Sequence, residues 1–202
     1  MTISLCITSY DKDRHFIPRL LSELRNQTRW PDETILLCSG VEHIHNYDDV
    51  KTITIPQRII QSKARNTCAN LAQGDIIVFF DVDDLPHCQK LEITEYIFKK
   101  YDPDFLLHNY RNKQNLDLNR KIDISSLTIK HNLEPSKLNT NLICENYPIH
   151  HAHISVRREV FEKVSFNEDK KYYRSEDGVF CQDLIKTGYK GIYTTEQLVQ
   201  YN

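Results

Sequence analysis

The chain has 202 residues, enough for one domain with a substantial buried core and too few for two full domains. Its 26 basic and 28 acidic residues leave a formal net charge of -2, which gives no electrostatic case for binding nucleic acid or an anionic membrane surface. No stretch approaches the roughly 20 apolar residues of a bilayer span, and Met1 to Ile7 lacks the charged start and cleavage site of a signal peptide. Cys6, Cys38, Cys68, Cys88, Cys144 and Cys181 are scattered, without zinc or redox spacing. The expectation is a cytoplasmic protein with reduced thiols and no transmembrane segment.

In chain order, Ile3 to Thr8 alternates like a strand and runs into a Ser9-Tyr10-Asp11 loop. Ile17, Leu20, Leu21 and Leu24 then fall at helical spacing, with Pro18 tolerated in the first turn. Apolar runs at Thr34 to Cys38 and Thr52 to Ile55 predict two further strands. Ser62 to Ala72 predicts a helix with Ala64, Cys68, Leu71 and Ala72 on its apolar side and Gly74 as its C-terminal cap. The Ile76 to Phe80 run predicts a strand buried on both faces. Pro86 is expected to open a helix carrying Leu91, Ile97, Phe98 and Tyr101, followed by a strand at Phe105 to Leu107.

From Arg111 to Tyr147 the periodicity fades, which predicts a long excursion on the substrate side. Order returns with a strand at His153 to Val156, helices at Arg158 to Val164 and Asp177 to Thr187 with Gly188 as cap, and a last strand at Ile192 to Thr194. Strands alternating with helices predict an α/β fold: a single Rossmann-like domain with a mostly parallel central sheet flanked by helices.

The chemistry concentrates where Ile76-Ile77-Val78-Phe79-Phe80 ends in Asp81-Val82-Asp83-Asp84. Ligands of open α/β sheets bind beyond the carboxyl ends of the strands, and crowded carboxylates there suit a hard divalent ion. Asp-x-Asp alone carries no weight, because Asp11/Asp13 and Asp102/Asp104 repeat it. Only Asp81/Asp83 follows a buried strand. The alternative is a turn in which Asp84 caps the helix at Pro86. Ser175-Glu176-Asp177 reads either as a Ser cap with acidic residues favoured by the helix dipole or as a general base for a hydroxyl acceptor. His150, His151 and His153 form an imidazole cluster whose expected role is structural or acceptor-lining rather than metal binding, since no nearby carboxylate or thiol completes a tetrahedral set. Arg65 could face a diphosphate or a base, or be a solvated helix residue. All five glycines lie after the first strand and helix, so no glycine-rich phosphate loop follows strand one.

Four blocks in order resemble the family 2 glycosyltransferases with a GT-A fold. They are Ile7-Thr8-Ser9-Tyr10-Asp11, Leu24 to Thr28, Ala64-Arg65-Asn66 with Ala72 to Asp84, and Glu176-Asp177 followed by Gly188-Tyr189. The resemblance implies a metal-dependent, inverting transfer of one sugar from a nucleotide-sugar donor, UDP by default, to a hydroxyl of a glycan or other acceptor. It makes residues 1–110 the nucleotide-sugar-binding half and 111–202 the acceptor-binding half of that one domain. It places Thr8, Tyr10 and Arg65 around base and ribose, and Asp81 at the ribose or the metal's water shell. Asp83 would ligate Mn²⁺ or Mg²⁺, and Asp177 or Glu176 would be the general base. A non-catalytic GT-A-like domain that binds nucleotide sugar or glycan is the alternative.

Two departures bear on this. Leu37-Cys38-Ser39-Gly40 stands where the family carries an acidic residue for the base, and the sole tryptophan, Trp30, belongs to no Gln-x-x-Arg-Trp motif, which argues against a processive synthase. The short stretch after Thr194 implies that another chain or domain closes the acceptor site.

Overall fold

The computed structural model describes residues 1–112, 117–131, 133 and 154–201. Its centre is a nine-stranded sheet ordered β3-β2-β1-β4-β8-β6-β9-β5, with β7 beside β5 on the outer edge of β9. These strands are β1 (Ile3–Tyr10), β2 (Glu33–Ser39), β3 (Lys51–Ile55), β4 (Ile76–Asp81), β5 (Leu85–Pro86), β6 (Phe105–Asn112), β7 (Ile129–His131), β8 (Ile154–Arg157) and β9 (Gly191–Tyr201). From β3 to β4 every pairing is parallel, as is β6 with β9, while β8 runs antiparallel between β4 and β6.

Strand alternation divides the core into two layers. Ile76, Val78 and Phe80 join Leu5, Ile7 and Leu36 beneath α1 (Ile17–Leu24) and α3 (Lys90–Tyr101). Ile77 and Phe79 join Cys6, Ile35 and Leu37 beneath α2 (Gln61–Ala69), α4 (Arg158–Phe161) and α5 (Glu176–Lys186). The same period of two carries Asp81 and its parallel partner Thr8 onto the α2 and α5 side, just past the last apolar layer. Register thus decides which helices the carboxylate can meet.

The order of elements expected through β6 is present, with four local corrections. Pro86 opens no helix: Leu85-Pro86 pairs with Val199 and Gln200, and α3 begins at Lys90 behind the N-cap residue Gln89. Asp84 is therefore not the N-cap of α3, and it is fully buried in the turn where its N–H donates to the Asp81 carbonyl. Gly74 is not a left-handed helix cap. A Cβ there would lie 2.7 Å from the Ser4 backbone nitrogen, so the glycine permits a close approach of chains. Leu71, read as apolar-facing, is exposed because α2 ends at Ala69.

The cap at Gly188 does hold, with φ 95°. β9 runs well past Thr194, because β6 pairs along one edge and β7 and β5 along the other. The predicted excursion from Arg111 lies partly outside the described residues; its described part holds a 3₁₀ turn at Ile124–Ser126 and β7. His150, His151, His153 and Cys144 also lie outside them.

Candidate active site

The site is built on the carboxyl ends of β1 and β4. Thr8 and Asp81 face one another in register, and the Thr8 hydroxyl donates to Asp81 Oδ1 at 3.4 Å. Gln61, in the first turn of α2, spans both: its Nε2 donates to Thr8 Oγ1 at 2.8 Å and to Asp81 Oδ1 at 2.9 Å. One turn later on the same helix face stands Arg65, 1% exposed.

The Arg65 guanidinium ties the two acidic motifs together. Its Nη2 lies 3.3 Å from both Asp81 oxygens, and its Nη1 donates to Glu176 Oε1 at 2.9 Å and to Asp177 Oδ1 at 2.7 Å. Burial works against the buried cation, but the charges of Asp177, Asp81 and Glu176 outweigh it and raise the Arg65 pKa further. The phenyl ring of Phe166 lies beneath the guanidinium, 5.4 Å from its carbon to the ring centre.

Glu176 and Asp177 occupy the first turn of α5, where the helix dipole favours anions. The capping alternative fails at Ser175, whose side chain makes no N-cap bond and instead donates to the Tyr172 carbonyl at 3.2 Å. Both members of the acidic pair, standing in the first turn of α5, are bound by Arg65.

A cleft of about 400 Å³ opens against these residues. Thr8, Tyr10, Arg65, Asp81, Asp83 and Glu176 all border it, while Asp177 is joined to it through Arg65. Burial, together with the charges of Asp84 and Asp81, pushes the Asp83 carboxyl up to about 6. Such a carboxyl gains from a cation beside it. Among the described residues no three His, Cys, Asp or Glu side chains are grouped to hold a metal by themselves. Two carboxylates with phosphate and water oxygens completing the shell is how Mg²⁺ is usually held, so the donor set fits a hard divalent ion.

Five lining residues were not singled out from the sequence, among them Lys12, just past the end of β1. Gln61 precedes Arg65 by one helical turn, a spacing that could have revealed it. Arg58 stacks 4.5 Å over the Tyr10 ring, and burial pushes the Tyr10 phenol up to about 12, so it stays a neutral hydrogen-bonding group. Tyr173 and Arg174 enter from the loop before α5, for which no local pattern exists.

The model of glycosyl transferase family 2 matches residues 4–165, most of the chain. The chain belongs to this family. No curated protein sequence matches it significantly. Among solved structures, S. aureus TarS residues 1–349 in complex with UDP is 16% identical with a TM-score of 0.67, over 100% of this chain and 60% of that one. The same TarS fragment with UDP-GlcNAc gives 16% identity and a TM-score of 0.69, over 100% of this chain and 58% of that one. The mannosyltransferase PcManGT from Pyrobaculum calidifontis, in complex with GDP-Man and Mn²⁺, gives 16% and 0.66, over 98% and 56%. At such identities the likeness is one of fold, and this family 2 chain has the GT-A fold expected of it. It spans about three fifths of the TarS fragment's length. Among its described residues no helix is long and apolar enough to cross a membrane.

Proposed function

We propose that this family 2 glycosyltransferase moves one sugar from a nucleotide-sugar donor to a hydroxyl of a glycan or other acceptor, with inversion and with a divalent metal. The observation that carries the reading is the single guanidinium of Arg65 joining Asp81 at the strand end to Glu176 and Asp177 at the helix start. Donor-side and acceptor-side carboxylates are thereby held within one side chain's reach at one cleft.

In this reading residues 1–110 supply most of the donor half and the later residues the acceptor half. Thr8 and Tyr10 border the base and ribose, and Leu37-Cys38-Ser39-Gly40, without an acidic residue, leaves base choice to other groups. Asp83, with Asp81, would hold Mn²⁺ or Mg²⁺, which supplies positive charge against the diphosphate of the donor. Arg65 is the positioning residue: it touches all three carboxylates and fixes their separation. Asp177 takes the proton of the acceptor hydroxyl as that oxygen attacks the anomeric carbon from the face away from the departing diphosphate. Glu176, which borders the cleft directly, is the other carboxylate able to do so. Complexes of relatives with UDP, UDP-GlcNAc and GDP-Man support a nucleotide-sugar donor and leave its base and sugar to experiment.

A thermal-shift screen of UDP-, GDP- and dTDP-sugars with and without Mn²⁺ identifies the donor, because a ligand of the native state raises its melting point. Transfer is then assayed with that donor in wild type, Asp177→Asn and Glu176→Gln. The expected result is loss of transfer in Asp177→Asn by at least about 100-fold, with the donor-induced shift retained. Wild-type turnover in Asp177→Asn would remove that residue from the mechanism.

A further inference from the structure

We infer that Arg174 is a direct ligand of the donor's diphosphate, gripping it from the α5 side of the cleft. This rests on the cleft being the donor site. Three described residues other than glycine have φ in the left-handed region: Asp49, Asp102 and Arg174. Aspartate tolerates that region through its short polar side chain; arginine has no such compensation, and glycine would fill the turn with less strain. At Arg174 φ is 77°, and the residue is the second before the acidic pair of α5. Strain retained at the rim of a site, where a cheaper residue exists, points to the side chain.

That side chain borders the same cleft as Asp81 and Asp83. Its charge is differently placed from that of Arg65, which is buried and matched by three carboxylates. Arg174 is exposed and makes no ion pair with any described residue, resting instead against the Tyr173 ring at 5.8 Å. Of the other cations that border the cleft, Arg58 is stacked on Tyr10 and Lys12 is paired with Asp13 at 3.8 Å on the opposite, β1 side. A guanidinium fork matches two phosphate oxygens in geometry, and a cation there shares the negative charge that grows on the nucleoside diphosphate as the sugar departs. The carboxylates of the β4 end cannot contact phosphate directly, so the cleft needs a cation of its own on this side.

The test is a set of binding titrations on wild type, Arg174→Gly and Arg174→Lys, using UDP, GDP and dTDP with Mn²⁺ and using uridine, guanosine and thymidine alone. Glycine suits the left-handed backbone, so Arg174→Gly should melt at or above the wild-type temperature while losing the charge. For whichever diphosphate wild type binds, Arg174→Gly should weaken affinity about tenfold and Arg174→Lys should recover part of it. The matching nucleoside should bind all three proteins alike. Undiminished diphosphate affinity in Arg174→Gly overturns the assignment, and so does an equal loss for the nucleoside, which would mean a deformed cleft. If wild type binds none of UDP, GDP and dTDP, the donor reading itself falls and takes this one with it.

Discussion

Arg65 carries more of the site than any other side chain, because three carboxylates depend on one buried cation. Asp81, Glu176 and Asp177 are themselves buried, and the charge on each is tolerated there because the guanidinium stands 2.7 to 3.3 Å away. Removing one member of a buried ionic cluster leaves uncompensated charge, which is far more costly than losing an exposed pair. Arg65→Met should therefore lower unfolding stability by about 3–5 kcal/mol in urea titrations at pH 7. Arg65→Lys should recover only part, since a single ammonium cannot fork toward carboxylates on two sides. A loss under about 1 kcal/mol for Arg65→Met would mean that the cluster behaves as a surface one.

At the scale of elements, the parallel pair β6 and β9 shows how a small residue sets the packing that carries the site. Gly191 lies opposite Phe105 in that ladder, and a Cβ on it would fall 2.2 Å from the Phe105 Cζ. The ring is fully buried in the layer beneath α5. Overpacking of this kind typically costs about 1–3 kcal/mol, so Gly191→Ala should be destabilised by that amount in urea unfolding. Phe105→Leu in the same chain should return part of the loss, because the clash is with the far end of the ring. Strict additivity of the two substitutions would show that they do not meet. The element pattern that produces this pairing was only half visible in the sequence. Ile76 to Asp81 announced itself as a buried strand by an unbroken apolar run, whereas Leu85-Pro86 is too short to have any period. β9 was read three residues long because its polar continuation is held by ladders on both edges rather than by an apolar face.

For the whole molecule, local pattern and long-range placement divide along the same line. The strand before it distinguishes the end of β4 in the sequence from Asp11/Asp13 and Asp102/Asp104; Asp102 ends α3 in a left-handed turn, whereas Asp13 borders the same cleft as Asp81 and Asp83. What the linear pattern lacks is the meeting of Arg65 with Asp177, 112 residues apart, which only the stacking of α2 and α5 on one sheet face creates. The same folding buries Lys90, a residue whose position at the start of α3 reads as ordinary solvent-facing helix. Its ammonium lies within hydrogen-bond reach of His108 Nε2, while His108 Nδ1 donates to the Asn109 carbonyl at 2.8 Å. Burial pulls the Lys90 pKa from 10.5 to about 7, with the charge of Asp84 only partly opposing it. The unfolded chain keeps this proton up to its ordinary value, so between about 7 and 10.5 the unfolded state binds more protons than the folded one. Stability from this residue must therefore rise with pH across that window, by up to about 1.4 kcal/mol per pH unit, and below it the cost of the buried charge is present in full. Lys90→Met has no such proton to release. Urea unfolding of both proteins at intervals from pH 6.5 to 9.5 should show the wild type gaining on the variant as pH rises, whatever their offset at the start. Parallel curves would mean that Lys90 keeps its charge in the folded protein, held by Asp84 more firmly than burial opposes it.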